Sequence, residues 1–172
     1  GIRYGAGDYP GHRADKLLAE EVFPVCSPRL LEGDNPLRTL DDLRWHTLLH
    51  DDVETRDKSM PKWEEWLKAA GCDVDATAGP RFSHSSMVVE AAVMGHGVAL
   101  IGRVTAGDYL ATGKLVRPFG PETTTRVDYG YYLVCLEGVA EHRDIAAFRA
   151  WALKEAKQDR ASTGTTTSSP TH

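Results

Sequence analysis

The chain has 172 residues, of which 41% are hydrophobic and 26% charged, a composition typical of a globular protein with one domain or two small ones. Its 25 acidic residues outnumber its 20 basic ones, and no run of Lys and Arg forms a basic face, so non-specific binding to nucleic acid is not expected. It also lacks the stretch of roughly 18 apolar residues that a membrane-spanning helix needs, so we expect no membrane association.

The two ends of the sequence give different expectations. The chain opens on Gly1, without Met and without a signal peptide, and enters a predicted strand at once, from which we expect that an upstream part is missing. From Ala161 onward nearly all residues are Ser, Thr, Gly or Pro, which cannot form a core. We therefore expect residues 158–172 to form a disordered tail.

The cysteines indicate the redox compartment. Cys26, Cys72 and Cys135 are too few and too widely spaced for a disulfide framework. We expect all three to be reduced thiols that pack in the core as small hydrophobic residues. This use of cysteine is typical of a cytoplasmic protein.

Predicted strands and helices alternate along most of the chain. In the first part of the chain we expect an extended segment over 17–26, short helices after Ser27 and Thr39, a strand over 47–50, and a helix that begins between Ser59 and Pro61 and ends at Gly71. In the middle we expect a short strand over 80–82, a helix over 83–94, a strand over 98–101 and a helix over 103–111. Toward the end we expect a short strand at 115–116, a strand over 131–135 and a helix over 139–157. The alternation favours an α/β fold with a largely parallel sheet.

Two of the predicted helices carry apolar stripes at the spacing of three and four residues that indicates one face of a helix. The stripe residues are Met87, Ala91 and Met94 in the helix over 83–94, and Ile145, Phe148, Trp151 or Ala152, and Ala156 in the last helix. We expect the stripe of the last helix to face inward.

Catalytic motifs are absent from the sequence, including those of serine hydrolases, zinc peptidases, dithiol redox proteins and P-loop enzymes. Gly5 and Gly7 are followed by Gly11, one residue too late for a dinucleotide-binding fingerprint. His46 and His50 have the spacing of a helical metal site, but the residues between them favour a strand, where they are solvated or edge histidines. We therefore expect no enzyme activity, no metal and no cofactor.

A cluster of polar residues at 83–86 stands where a helix begins after a strand. Backbone N–H groups and the helix dipole at such a place favour an anion, and hydroxyl groups there can donate to a carboxylate. Ser83, His84 and Ser85 are therefore candidate ligand contacts. The alternative is that one serine is the N-cap and the others are surface residues. Arg3 is a candidate charged partner for such a ligand.

Seven segments stand in a characteristic order along residues 1–157: IRYG at 2–5, FPVCSPRLL at 23–31, TLLHD at 47–51, GPRFSHSSM at 79–87, GHGVAL at 95–100, GKLVRPF at 113–119 and YLVC at 132–135. Together they resemble the effector-binding domain of LysR-type transcriptional regulators, in the branch that contains the glycine-cleavage activator. Each segment alone is a weak indication of this family, but the set in this order is specific to it.

The resemblance implies a fold like that of type II periplasmic binding proteins. Two Rossmann-like subdomains flank a cleft and are joined by two crossing strands, here residues 22–26 and 131–135. Residues 1–21 and 131–157 would belong to the first subdomain, which is incomplete, and residues 22–130 to the first crossing strand and the second subdomain. The helix-turn-helix that family members carry upstream is absent from the sequence.

The resemblance also implies a function, namely effector sensing and oligomerisation in a cytoplasmic LysR-type DNA-binding regulator. Its small-molecule site would lie in the cleft, at the helix that begins near Ser83, and would include Arg3, Ser83, His84 and Ser85. An amino acid or another small carboxylate is the expected effector, and DNA would be bound only through the missing N-terminal domain. The alternative is a fragment of a solute-binding protein with the same fold.

Family effector domains pair antiparallel, so the resemblance implies a homodimer or homotetramer of the full-length protein. The expected contribution of this chain is the helix over 103–111 and the strand over 98–101, whose edge would pair across a two-fold axis. The expected interface residues are Val98, Leu100, Val104, Tyr109 and Leu110. The alternative is that Tyr109 and Leu110 complete the local core.

Overall fold

The protein is described by a computed structural model that covers residues 1–52 and 60–163. Its strands are β1 (Ile2–Gly5), β2 (His12–Val25), β3 (Leu48–Asp51), β4 (Arg81–Phe82), β5 (Val98–Gly102) and β6 (Thr125–Leu136). Its α-helices are α1 (Trp63–Ala69), α2 (Ser85–Val93), α3 (Arg103–Ala111) and α4 (Arg143–Thr163), and short 3₁₀ helices cover Pro28–Leu31, Leu40–Trp45, Pro121–Thr123 and Glu137–Val139. The predicted α/β class is confirmed.

The chain divides into two compact units. Unit 1 comprises Gly1–Ala19 and the chain from Asp128 onward, and unit 2 comprises Glu20–Val127. The expected assignment of residues 1–21 and 131–157 to one subdomain and 22–130 to the other stays a prediction. Strands β2 and β6 contribute residues to both units.

Unit 1 is built from β1, the adjoining parts of β2 and β6, and α4. Strand β1 pairs antiparallel with β6, with Ile2 opposite Leu133 and Gly5 opposite Gly130. Its small core contains Leu17, Leu133 and Ala152, with Leu153 and Ala156 of α4 packed against them.

Unit 2 is a mixed sheet with helices on both faces. The end of β2 pairs antiparallel with β5, β5 pairs parallel with β3, and β3 pairs parallel with β4. Side chains alternate between the two faces of β5, because successive strand residues point to opposite sides. Ala99 and Ile101 pack with α2, whereas Val98 packs with Trp63 and Trp66 of α1.

Local signals in the sequence explain several element boundaries. Thr39 forms a capping box with Asp42, which fixes the start of the helix over Leu40–Trp45. Gly71 and Gly113 follow α1 and α3 with positive φ angles of 67° and 68°, the left-handed conformation that favours glycine at helix ends. The expected helix start at Ser59 lies outside the described residues.

The apolar stripes predicted for two helices do not coincide with the faces that these helices bury. In α2 the buried residues are Val88, Val89 and Ala92, whereas Met87 and Met94 are exposed. In α4, Ala152 is buried as expected, but Phe148 and Trp151 are 50% and 56% exposed and Arg149 is buried instead. The expected inward face is confirmed at Ala152 and Ala156 and is wrong at Phe148. The helix is apolar on both sides, so spacing alone does not identify the inner one.

Three further expectations need correction. Helix α4 continues to Thr163, past the expected end at Lys157, so the predicted tail cannot begin at 158; residues 164–172 lie outside the described part. Only Cys26 is fully buried, where burial raises its pKa to about 12, and Cys72 and Cys135 are partly exposed. His50 is buried rather than solvated, with its Nε2 atom 3.0 Å from the carbonyl oxygen of Ala78.

Candidate functional site

The carboxyl ends of three parallel strands lie at one edge of the unit 2 sheet. Strands β3 and β4 are in register with His50 opposite Arg81 and Asp51 opposite Phe82, and β3 also runs parallel to β5. Helix α2 begins after β4, and helix α3 begins after β5. Two helix N-termini therefore lie at this edge, which is where open α/β sheets bind ligands.

Ser83, His84 and Ser85 form the turn from β4 into α2. The helix begins at Ser85 rather than at Ser83, and His84 occupies the N-cap position with extended φ and ψ angles of −138° and 123°. The His84 side chain makes no capping hydrogen bond; its Nδ1 atom lies 3.0 Å from Ser83 Oγ. Ser83 and His84 are exposed and Ser85 is half-buried. The first turn of α2 is thus held by neither an N-cap side chain nor an acidic residue.

Asp52 is the acidic residue next to this turn, and two cations neutralise it. Its backbone N–H donates to the carbonyl oxygen of Phe82 at 2.9 Å, which ties the end of β3 to the start of the turn. Arg81 Nη1 donates to both carboxylate oxygens of Asp52 at 3.2 Å, and Lys62 Nζ lies 3.6 Å from one of them. The hydrogen bond from Arg81 is the main reason that the pKa of Asp52 lies below its usual range. The paired carboxylate repels an anion at α2 less than a free one would.

The N-terminus of α3 differs because a carboxylate of the protein itself occupies it. Glu20 of β2 is only 3% exposed, and its Oε1 atom accepts hydrogen bonds from the N–H groups of Glu21 at 3.0 Å and Val104 at 3.4 Å. A Cβ atom at Gly102 would lie 2.9 Å from this carboxyl group, so glycine leaves the space that Glu20 fills. Burial raises the pKa of Glu20, although the backbone hydrogen bonds and the charge of Arg103 act in the opposite direction.

Arg3 belongs to unit 1, where it lies on β1 opposite Tyr132 and is exposed. Ser83, His84 and Ser85 are consecutive in unit 2. Contact of Arg3 with a ligand stays a prediction.

The expected oligomer interface is partly wrong. Strand β5 pairs with β2 on one side and with β3 on the other, so it has no free edge for a partner. Val98 is fully buried, and Leu100 is a half-buried side chain that packs against the Trp63 and Trp66 cluster. On α3, Val104 is exposed at the surface, whereas Tyr109 and Leu110 are half-buried against the core. The α3 part of the interface stays a prediction.

An open cavity of about 480 Å³ occurs elsewhere in unit 2. It is lined by residues 43–48, Val74, Asp75, Ala78 and Gly79, and it contains none of the predicted site residues. Among the described residues, no group of His, Cys, Asp and Glu side chains is arranged to hold a metal ion.

Sequence reasoning missed the roles of Glu20, Asp52 and Arg81. A charged residue inside the apolar strand segment before Val22 was the available signal for Glu20, because a carboxylate in such a segment needs a buried partner. One of its partners is the backbone N–H group of Val104, in a helix about 80 residues later, a long-range contact that spacing does not reveal. Asp52 and Arg81 lie on neighbouring parallel strands and required the strand register.

Unit 2 is therefore an α/β unit with two helix N-termini at the carboxyl ends of parallel strands, the place where open α/β sheets bind ligands. The profile of the LysR substrate binding domain matches residues 1–157, and the chain belongs to this family of LysR-type regulators.

Curated relatives of the chain include transcriptional regulators. The glycine cleavage system transcriptional activator of Escherichia coli (strain K12) is 44% identical over 160 residues, which cover 92% of this chain and 50% of the relative. The HTH-type transcriptional regulator PerR of the same strain is 35% identical over 155 residues, 90% of this chain and 49% of the relative. The chain therefore spans about half the length of the curated relatives it matches. The alternative of a solute-binding protein fragment is not supported by these relatives.

Solved structures show the same fold. The effector domain of AmpR of Pseudomonas aeruginosa superposes with a TM-score of 0.65 at 29% identity, covering 94% of this chain and 74% of that one. The AmpR effector binding domain of Citrobacter freundii superposes with a TM-score of 0.64 at 25% identity, covering 91% of this chain and 74% of that one. The likeness to LysR effector domains confirms the expected fold, which is like that of type II periplasmic binding proteins. Within the described residues, no helix combines the length and apolarity needed to cross a membrane.

Proposed function

We propose that the chain senses a small carboxylate effector for a LysR-type regulator, and that the effector binds at the N-terminus of α2. One observation carries this proposal: of the two helix N-termini at the same sheet edge, α3 accepts the internal carboxylate of Glu20, whereas α2 begins with hydroxyl side chains and no acidic residue. The N–H groups of a helix start favour a negative group.

Ser83 and Ser85 have distinct parts in this proposal. Their hydroxyl groups donate to the effector carboxylate, beside the backbone N–H groups of the first turn of α2. His84, whose Nδ1 atom lies 3.0 Å from Ser83 Oγ, orients the Ser83 hydroxyl group. An amino acid is the favoured effector, since a relative that is 44% identical is named the glycine cleavage system transcriptional activator.

The whole regulator would act in the cytoplasm as a homodimer or homotetramer. Contact with DNA is assigned to a part of the regulator outside this chain, in agreement with the net charge of −5 carried by the 172 residues. Helix α3 supplies the contribution of unit 2 to oligomerisation.

Replacement of Ser83 or Ser85 by Ala in the complete regulator tests the site. Loss of one hydrogen bond to a charged ligand costs about 1.5–3 kcal/mol, so the effector concentration for half-maximal response should rise about tenfold to more than a hundredfold. The measurement is a reporter assay with glycine and other amino acids, paired with calorimetry on the purified protein.

Thr105→Ala is the matched control. Thr105 is an exposed hydroxyl residue in the first turn of α3, the helix whose N-terminus Glu20 occupies. We expect an unchanged response from this variant. Parent-like affinity in both the Ser83→Ala and Ser85→Ala proteins would remove the support for this site.

A further inference from the structure

The open cavity of unit 2 lies at the opposite edge of the sheet from the proposed effector site. Its lining includes Leu48, the first residue of β3, and Gly79, two residues before β4. Because β3 and β4 are parallel, these residues mark the amino ends of the two strands, whereas α2 begins beyond the carboxyl end of β4. Small-molecule sites typically measure about 300–1,000 Å³. The cavity, at about 480 Å³, is therefore large enough for a second ligand.

Short contacts with β3 fix one wall of the cavity. The carbonyl oxygen of Ala78 lies 3.0 Å from Nε2 of the buried His50. Gly79 has a φ angle of 121°, and a Cβ atom at this position would collide with the carbonyl oxygen of Leu48, so the segment lies directly on the strand. Leu43 and Leu48 are buried and supply apolar lining. The cavity is thus formed by parts of unit 2 that are held in place.

Trp45 provides an exposed aromatic ring to the lining. Its side chain is 66% exposed, the largest exposed fraction among the large hydrophobic residues described. The other two tryptophans of unit 2, Trp63 and Trp66, are buried and contact each other with centroids 5.6 Å apart. Planar rings stack on an exposed indole, and cations are attracted to its face. Trp45 therefore gives the cavity a surface that suits an aromatic ring.

Asp75 provides a carboxylate that no cation neutralises. Its Oδ1 atom accepts hydrogen bonds from the hydroxyl group of Thr77 at 2.7 Å and from the Thr77 N–H group at 2.8 Å. These two bonds hold the pKa of Asp75 below its usual range. Arg44 also lines the cavity, but its Nη2 atom lies 3.6 Å from a carboxylate oxygen of Asp41. Within the described residues, Asp75 itself forms no ion pair, so the cavity retains a negative charge.

We propose that this cavity binds a small aromatic amine, with the ring of the ligand stacked on Trp45 and its ammonium group paired with Asp75. Leu43 and Leu48 contact the part of the ligand that Trp45 does not cover. The cation neutralises the unpaired carboxylate, and the ring removes apolar surface of the indole from water. Asp75 repels a carboxylate, so the ligand class differs from the one proposed for the N-terminus of α2.

Binding of 2-phenylethylamine to the complete regulator tests the proposal. We expect saturable binding in a titration into the millimolar range, measured by saturation-transfer difference NMR. Two further probes separate the ring from the charge: 3-phenylpropionate has a carboxylate in place of the ammonium group, and butylamine has no ring. Each should bind at least about fivefold more weakly, since about 1 kcal/mol is lost with either contact.

Asp75→Asn and Trp45→Leu determine where the amine binds. Asparagine keeps an oxygen atom that accepts from Thr77, so this variant removes the charge and retains the turn. Each substitution should weaken binding of 2-phenylethylamine roughly fivefold or more. The matched controls are Asp73→Asn and Trp151→Leu, which change an exposed carboxylate and an exposed tryptophan outside the cavity lining. Both controls should bind the amine like the parent.

Three results would overturn the proposal. They are equal binding of the three probes, parent-like affinity in both the Asp75→Asn and Trp45→Leu proteins, and no saturable binding of 2-phenylethylamine. The last result is expected if a side chain of a partner protein fills the cavity instead. The probe has no carboxylate for α2, so Ser83→Ala should leave its binding unchanged. Failure of this proposal is therefore separable from failure of the effector site.

Discussion

Arg149 ties α4 to β2 through a nearly buried ion pair. It is 7% exposed, and its Nε atom donates to Asp15 Oδ2 at 2.8 Å while Nη1 donates to the carbonyl oxygen of Ala140 at 3.4 Å. The hydrogen bond from Arg149 is the main reason that the pKa of Asp15 is lowered, with smaller contributions from the charges of Arg149 and Arg13. A carboxylate whose pKa is lowered by folding stabilises the native state above its unfolded pKa.

Arg149→Met should lower the free energy of unfolding at neutral pH by about 1.5–3 kcal/mol, because a charged hydrogen bond is lost and Asp15 keeps a poorly compensated charge. The difference from the parent should shrink as the pH falls through the folded pKa of Asp15, where the parent loses the same interaction. Arg143→Met, on the same helix with a side chain 96% exposed, should change stability by less than about 0.5 kcal/mol. Urea unfolding measures both, and equal losses would contradict the role of Arg149.

Glu20 has the opposite pH dependence. Burial raises its folded pKa above the unfolded value, so its contribution to stability is fully present below the unfolded pKa and is lost as the pH rises through the folded pKa. Because glutamine does not ionise, Glu20→Gln removes this loss of stability with rising pH. The variant should therefore gain stability relative to the parent as the pH rises from below the unfolded pKa of Glu20 through its raised folded pKa.

The control for this prediction is Glu21→Gln, since Glu21 is the next residue and is less buried. Unfolding curves at several pH values measure both variants. A difference between Glu20→Gln and the parent that does not change with pH would show that the buried carboxyl group does not titrate as inferred.

At the scale of elements, helix α3 has the bounds that its sequence predicts, whereas the role predicted for its neighbouring strand was wrong. Gly102 and Gly113 flank the helix, so its start and end are encoded locally. The position of β5 between β2 and β3 depends on contacts distant in sequence, and no local signal separates an inner strand from an edge strand.

The interface proposed for α3 can be tested in the complete effector domain. Val104→Asp introduces a charge on an exposed residue of α3, and Leu110→Asp does so on a half-buried one. If α3 lies in the dimer interface, a desolvated and unpaired charge should weaken dimerisation roughly tenfold or more, which corresponds to at least about 1.4 kcal/mol. Analytical ultracentrifugation measures the dissociation constant.

Val104→Asp is the more informative variant in this experiment. Leu110 also packs against the core of unit 2, so a charge at Leu110 can destabilise the fold as well as the dimer. Circular dichroism should show that the Val104→Asp protein is folded. Parent-like dimerisation of a folded Val104→Asp protein would exclude α3 from the interface.

At the scale of the molecule, the sequence predicted the α/β class and most strands, because alternating apolar segments and glycine-marked ends are local signals. It also located the Ser83–Ser85 turn, since polar residues between a strand and a helix are visible in the sequence. The sequence did not predict the faces of α4 or the capping of α3 by Glu20. The buried face of α4 and the capping of α3 each depend on contacts between residues that are distant in the chain.

The division of the chain into units has a consequence for the order of folding. Unit 2 is one continuous segment, Glu20–Val127, whereas unit 1 joins two stretches that the whole of unit 2 separates. Contacts of unit 1, such as Asp15 with Arg149, therefore close a long loop and carry a large entropic cost. Once unit 2 has folded, Arg126 Nε and Glu21 Oε1, near the two ends of this unit, lie 3.5 Å apart. The loop that a contact within unit 1 must then close is effectively short. We expect pulsed hydrogen exchange during refolding to protect the amides of β3 and β5 before those of β1 and α4, and simultaneous protection would contradict a nucleus in unit 2.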